Sequence, residues 1–252
     1  MTDFVLVLLI TIRITGAFIS APIFGNKSLP FLVKIFLSLF IAYLIFLTID
    51  TSNIQIELSI WFLVVSAIKE ILTGLVLGFM LNFVFYGVLY AGAFIGFDMG
   101  LAIANMFDPA EGVSGNAIGE ILYFAALLIF LLINGHHYVI EGFSFSFLAI
   151  PIGSSVLTQS LSDVLIKYSA QVFVIALKIA SPIIVSFFLV HIAEGIIARV
   201  IPQMQVFFVT QPLKIGLGFL MLASITPIYI YVVKNLLKNY ENQLVEIIRA
   251  MS

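Results

Sequence analysis

Apolar runs of twenty residues or more follow one another along nearly the whole chain, and they leave few folds open. A helix needs about 20 apolar residues to cross the hydrocarbon core of a bilayer. Phe4–Phe24 has that length, broken only by Arg13, and Leu29–Ile49 has it, broken only by Lys34. Leu58–Phe97 is about twice the necessary length, and as one helix it would reach roughly 60 Å. It reads as two helices, or as one very long helix bent on itself. Ala117–Asn134, Tyr168–Ile192 and Leu213–Val233 also qualify, while His137–Ile152 is apolar but short, a half-span or a packed interior helix. About six spans result, or seven or eight if the long run and the Tyr138 segment each add one. Nothing alternates apolar with polar residues over ten-residue windows, which argues against a barrel. The expected class is an all-α membrane protein of roughly six to eight hydrophobic helices in hairpins, some bent or broken.

Composition sets what must surround these helices. Hydrophobic residues make up 62% of the chain and charged residues 10%, with a mean hydropathy of +1.22. A soluble domain carries about 25% charged residues. Lipid, partner subunits or both must therefore cover this surface. The net charge of −2 offers nothing to nucleic acid. The absence of cysteine removes disulfides, thiol nucleophiles and thiolate metal sites. Asp3 stands where a secretory signal would carry Lys or Arg, so the first apolar run is expected to stay as a structural helix. Basic residues gather on the cytoplasmic side. Lys27 and the tail with Lys234, Lys238 and Arg249 are accordingly placed inside. The Asp50–Glu57 connection and the acidic Asp98–Glu120 loop are placed outside, which requires an N-terminus facing out.

Glycine, proline and charge then mark particular positions. Gly74–Gly78 and Gly92–Gly96 are small-xxx-small motifs, read first as helix packing within one chain. Pro182 and Pro227 fall inside apolar runs, where each removes a backbone hydrogen bond and bends the helix. The freed carbonyls need protein or water, so these helices are expected to pack against neighbours. Arg13, Lys34, Lys69, Glu70, Lys178, Glu194 and Arg199 lie in or at the ends of apolar segments, where an ionisable group costs about 2.5–3.5 kcal/mol on insertion scales. Lys34 is near enough to a helix start to snorkel. Arg13 lies too deep for that and is read as an ion pair or a cap on carbonyls before it is read as a substrate gate. His137 and Glu141 share a helix face beside His136, but no third and fourth ligand is at hand, so a hydrogen-bonded turn is preferred to a metal site. From Leu236 to Met251 apolar residues recur at helical spacing among Asn, Lys and Glu. This is an amphipathic helix, read as lying on the membrane surface before it is read as a partner-binding helix. No nucleophile elbow, zincin helix or phosphate loop occurs, so no enzyme, cofactor or metal is expected.

Four groups of residues, in order, resemble a known family. Arg13 with Gly16, Ala17, Phe18, Ala21, Pro22 and Gly25 is similar to its N-terminal pattern. Met99-Gly100 and Met106-Phe107-Asp108-Pro109 resemble the segment leading into its central loop. Asn134-Gly135-His136-His137, with Ser146 and Pro151-Ile-Gly153, resembles its most recognisable stretch. Arg199-Val-Ile-Pro202-Gln203-Met204, with Pro212-Leu-Lys-Ile215, resembles another signature. The family is FliR/SctT, membrane proteins of type III secretion export apparatuses, and the Asn-Gly-His-His run is closer to the flagellar branch. Asp98 replaces an expected glutamine, and Ser114-Gly115-Asn116 stands where a proline is often found.

The resemblance implies a helical hetero-oligomer with FliP and FliQ in the bacterial inner membrane at the flagellar basal body, on which FlhB docks. Unfolded flagellar substrates would cross through its centre. It implies a FliP-like part over 1–160, a FliQ-like helical hairpin over 161–233 and a tail helix over 234–252. It also implies that Phe107–Asn116 plugs the pore at rest. The loop's Asp108, Pro109 and Glu111 are polar or rigid, and Gly112 and Gly115 let it swing. Arg199 and Gln203, four apart, share a face if helical. Pro202 makes a turn equally possible, and Pro202 and Pro212 bracket a segment that caps the hairpin. The competing class is a small-solute secondary transporter, which glycine motifs, broken helices and a buried Arg13 also suit. It leaves the Asn134–Pro151 signature without a purpose.

Overall fold

The computed structural model describes residues 2–22, 24–25, 30–49, 59–101, 116–154 and 158–251. Among them there are helices and turns and no strand. The helices are α1 (Thr2–Ser20), α2 (Phe31–Thr48), α3 (Ile60–Asp98), α4 (Ala117–Leu132), α5 (Gly135–Ala149), α6 (Gln159–Val200), α7 (Val206–Lys238) and α8 (Tyr240–Met251). Five helical stretches are long and apolar enough to cross a membrane, or six if α4 and α5 are taken as one broken span.

The long run after Ser59 is one continuous helix of 39 residues, not two helices. Glycine without a following proline does not stop a helix whose neighbours hold it, and here the glycines serve close approach. The α6 helix runs 42 residues through Pro182, and α7 runs through both Pro212 and Pro227. These prolines lie inside helices rather than at their ends. Pro202 is different: α6 stops at Val200, and residues 201–205 form the turn into α7.

The chain divides into two compact units, each assembled from separated stretches. Unit 1 comprises residues 1–83, 134–169 and 238–252. In it α1 crosses the first part of α3 at the Gly74–Gly78 motif. A Cβ on Gly74 would sit 1.9 Å from the Arg13 carbonyl oxygen, and one on Gly78 would sit 2.1 Å from that of Ala17. Both glycines therefore serve packing within the chain. Leu9, Ile10, Ile14 and Phe18 of α1, with Val139 and Phe143 of α5, are buried in this unit, and the Phe18 and Phe143 rings lie 6.2 Å apart.

The tail helix has a different place from the one its amphipathicity suggested. Residues 234–238 continue α7, and the separate helix begins at Tyr240. Its apolar face is not turned to a membrane surface: Leu244, Ile247, Ile248 and Met251 are buried. A Cβ on Gly142 of α5 would lie 2.5 Å from Leu244, so glycine is what lets α8 settle there. Thr158 Oγ1 donates to the Ala250 carbonyl, and Glu246 accepts from Lys167 and from the Tyr168 hydroxyl, both on α6. Its apolar stripe found a partner in its own chain, which a pattern of spacing cannot reveal.

Unit 2 comprises residues 84–133 and 170–237. Phe85 of α3 and Phe130 of α4 meet edge-on with centroids 6.0 Å apart. A Cβ on Gly92 would be 2.3 Å from the Gly119 Cα, so α3 and α4 touch backbone to backbone. Asn116 caps α4: its side chain accepts from the Gly119 amide at 3.0 Å and donates to the Leu89 carbonyl at 3.2 Å. Ala176, Phe187 and Val233 are buried in this unit, and Tyr229 donates its hydroxyl proton to the Leu122 carbonyl.

Candidate functional site

The polar residues at membrane depth were the candidates, and the structure gathers several of them into one buried node in unit 1. Arg13 is 1% exposed and Glu70 0%. Arg13 Nε donates to Glu70 Oε2 at 2.5 Å and Nη2 to Oε1 at 3.1 Å, a two-pronged pair between α1 and α3. Nη1 donates to the Ser146 carbonyl at 3.1 Å and reaches its hydroxyl at 3.4 Å, and Nη2 donates to the Ile150 carbonyl at 3.1 Å. A guanidinium has five N–H donors, and all are used here. The Arg13 Cζ also lies 4.1 Å over the Phe147 ring.

Position along α5 explains the choice of cation. Ser146 is in the last turn of α5, its carbonyl already accepting the Ile150 amide, and Ile150 is the C-cap, so both carbonyls lie at the negative end of the helix dipole. Arg13 caps that end. Glu70 completes the circuit, since its Oε1 accepts the Gly153 amide at 2.8 Å, and the adjacent Lys69 Nζ donates to the Gly153 carbonyl at 3.1 Å. Gly153 itself has φ +79, a left-handed turn that favours glycine. Two signatures 133 positions apart in sequence, one around Arg13 and one around Ser146, are thus joined by hydrogen bonds.

Glu70 was missed as the partner of Arg13. In the sequence it is one of several ionisable residues within apolar segments, because contacts across 57 positions leave no local trace. Missed in the same way was a second pair, in unit 2. Glu194 and Arg199 do not pair. Glu194 instead meets Lys214 at 2.7 Å and accepts from the Thr210 hydroxyl, tying α6 to α7. Lys214 lies one helical turn after Thr210, the i,i+4 spacing that would have found half of this cluster. Next to Thr210, Gln211 donates to the Met99 carbonyl at 2.9 Å, just beyond the end of α3.

The other singled-out residues are spread out. Pro22 is buried beyond the end of α1. Asn134 takes the left-handed conformation, φ 57, at the break between α4 and α5, with Gly135 buried beside it. Asn-Gly is a helix breaker placed where a sharp break is needed. The His136 and His137 rings lie 4.2 Å apart, and His136 Nδ1 is buried without a hydrogen-bond partner. Among the described residues no group of three His, Cys, Asp or Glu could hold a metal ion. Pro151 is exposed in the turn that carries Gly153. Arg199, in the last turn of α6, Pro202 and Gln203 in the hairpin turn, and Pro212 within α7 are all exposed; Arg199 and Gln203 do not share a helix face, because the helix ends between them. Phe107, Asp108, Pro109, Glu111, Gly112 and Gly115 of the expected plug lie outside the described residues, and Asn116 is the cap of α4.

Nothing in either cluster resembles a reaction centre. Every polar group of the Arg13 node is engaged in holding three helices, which is an architectural task. Residues 4–240 match the profile of the bacterial export proteins, family 1. The flagellar biosynthetic protein FliR of Bacillus subtilis (strain 168) is 36% identical over 231 residues, 90% of this chain and 88% of that protein. The FliR of Escherichia coli (strain K12) is 30% identical over 239 residues, 94% of this chain and 90% of its own length. The FliR of Aquifex aeolicus (strain VF5) is 26% identical over 234 residues, 92% and 90% of the two chains.

Proposed function

Because this chain belongs to the bacterial export proteins, family 1, and is a component of the flagellar export apparatus in the inner membrane, we propose that it forms, with partner subunits, the channel through which unfolded flagellar substrates cross that membrane. One observation carries this reading. Large apolar side chains stay exposed along α6 from Ile166 to Val200, a stretch of about 51 Å at 1.5 Å per residue. A hydrocarbon core of about 30 Å covers roughly 39 Å of a helix even at a 40° tilt, the far end of the usual range. Lipid leaves the remainder bare, and protein subunits are the natural cover. Lys178, exposed within the same stretch, suits a protein or aqueous neighbour better than acyl chains.

The partners in this reading are FliP and FliQ in the core and FlhB docked on it. Residues 1–160 are the FliP-like part, 161–233 the FliQ-like hairpin and 234–252 the tail, with the C-terminus in the cytoplasm. The chain performs no catalytic step; its work is to line, close and open a passage. Phe107–Asn116 closes the lumen at rest and moves aside for substrate. Arg199, exposed at the end of α6, serves assembly with partners rather than passage.

Co-expression with FliP and FliQ, followed by native mass spectrometry, tests the assembly. A defined hetero-oligomer containing this chain is expected. A monodisperse, folded chain that needs no other subunit and moves a small solute across liposomes would establish the transporter reading instead. Deleting residues 113–115, which spares the Asn116 cap, is expected to raise membrane conductance while export is idle. An unchanged leak removes the plug. Arg199→Ala is expected to reduce the yield of intact complex, and an intact complex without export would contradict the assembly role.

A further inference from the structure

A cavity of about 290 Å³ in unit 2 is bounded by residues beside two of the prolines inside helices. Ile179 and Ile183 flank Pro182 on α6, and Ala223 and Thr226 precede Pro227 on α7. Ile95 of α3 and Ile118 of α4 line the same space. The two prolines therefore stand at one level of the α6–α7 hairpin. Proline has no N–H for the carbonyl four residues earlier, so the helical bonds to the Lys178 and Ala223 carbonyls are missing at that level. The Ser181 hydroxyl donates to the Lys178 carbonyl instead, over a long 3.4 Å. Protein interiors are close-packed, so an apolar space beside two weakened turns is room for both helices to bend.

The hairpin is held differently on the two sides of this level. On the near side α6 and α7 are fixed to the rest of unit 2. A Cβ on Gly87 of α3 would lie 2.6 Å from Ile175, and Tyr229 donates to the Leu122 carbonyl of α4. On the far side the two helices are bound to each other, since Glu194 meets Lys214 at 2.7 Å and accepts from Thr210. They form one arm, which from Pro182 to Val200 has 18 residue steps, about 27 Å. The arm is fastened to the end of α3 through Met99. Gln211 Nε2 donates to the Met99 carbonyl at 2.9 Å, and a Cβ on Gly218 would lie 2.5 Å from the Met99 side chain. Gly100, at φ +78, leaves the room for this amide, because a Cβ there would be 2.0 Å from Gln211 Nε2. Gln211 Oε1 is buried without a partner. The polar part of the fastening is thus one bond between neutral groups among the described residues, which shifts an equilibrium by only about two- to tenfold.

We propose that the far part of the hairpin, residues 183–226, is an arm that hinges at Pro182 and Pro227 and is latched to the end of α3 by Gln211. The structure holds the latched state. A change of about 20° at the hinge, the size of a sharp proline kink, carries the far end of a 27 Å arm through about 9 Å. The hinge and the latch lie within this chain and do not depend on whether the assembly conducts protein, so their failure and the failure of the channel reading are separate outcomes.

The chain has no cysteine, so spin labels attach only where a cysteine is introduced. Exposed positions serve: Leu128 on α4, Val200 at the end of the arm, and Phe173 on α6 before the hinge. Distances are measured by double electron–electron resonance on the full chain in the assembly it forms in the membrane. With Leu128→Cys and Val200→Cys, one main distance is expected, with a minor second population displaced by about 9 Å. Gln211→Leu, similar in size but without a donor, is expected to raise that second population about two- to tenfold. Adding Pro182→Ala and Pro227→Ala restores both helical bonds and is expected to abolish it. Ala125→Leu, which narrows the cavity from α4, is expected to lower it. With Leu128→Cys and Phe173→Cys, one narrow distance is expected in every variant. A single unchanged distance to position 200 in Gln211→Leu overturns the proposal. So does a second population that survives both proline substitutions, or one that also appears at position 173, where it would report a loosened unit rather than a hinge.

Discussion

Arg13→Met removes the centre of the buried node in unit 1, and its cost is set by what stays behind. Glu70, fully buried, retains the Gly153 amide but loses both guanidinium bonds. Breaking a buried ion pair from one side costs about 3–5 kcal/mol. The carbonyls of Ser146 and Ile150 also lose their side-chain donor, and a buried polar group left short of a partner costs about 1–3 kcal/mol. Ser146 O keeps a partner in the Ile150 amide, so the larger share of that second cost belongs to Ile150. The single variant is therefore expected to lose about 4–6 kcal/mol. Pairing it with Glu70→Met removes the stranded carboxylate but leaves the Ile150 carbonyl without its side-chain donor and frees the Gly153 amide. The double variant should recover part of the loss and remain about 2–3 kcal/mol below wild type. Reversible unfolding in mixed micelles by dodecyl sulfate titration gives all four corners of the cycle. A coupling energy below about 0.5 kcal/mol between positions 13 and 70 would refute the node as an energetic unit.

Other substitutions test the remaining contacts. Gly74→Ala places a methyl where the Arg13 carbonyl already sits, forcing α1 from α3, and folded yield in detergent should collapse; Gly195→Ala and Gly216→Ala, with nothing within 4 Å, should be tolerated or slightly stabilising. Lys214→Met strands a Glu194 that is 16% exposed and should cost about 2–3 kcal/mol, between surface and fully buried pairs, read from the same titration. Glu246→Ala breaks a pair whose side chains are 53% and 40% exposed and should cost less than about 1 kcal/mol, whereas Leu244→Ala should cost about 2–4 kcal/mol and release α8 to protease. Asn116→Ala should cost about 1 kcal/mol and speed amide hydrogen exchange in the first turn of α4.

The sequence by itself determined what is counted along one dimension. Twenty-residue apolar runs dictate helices in an apolar surrounding, and glycines at spacing four dictate close crossings. The order of four motifs shows the family across most of the length. Tertiary structure decided what depends on residues far apart meeting. Which acid Arg13 chose, that Glu194 prefers Lys214 to Arg199, and that the amphipathic α8 turns its apolar face into its own chain are all long-range facts. Whether the run after Ser59 makes two helices or one was likewise settled only by the 39-residue helix itself. Hydropathy measures affinity for an apolar surrounding and cannot tell lipid from protein, so length along the chain is not depth in a membrane.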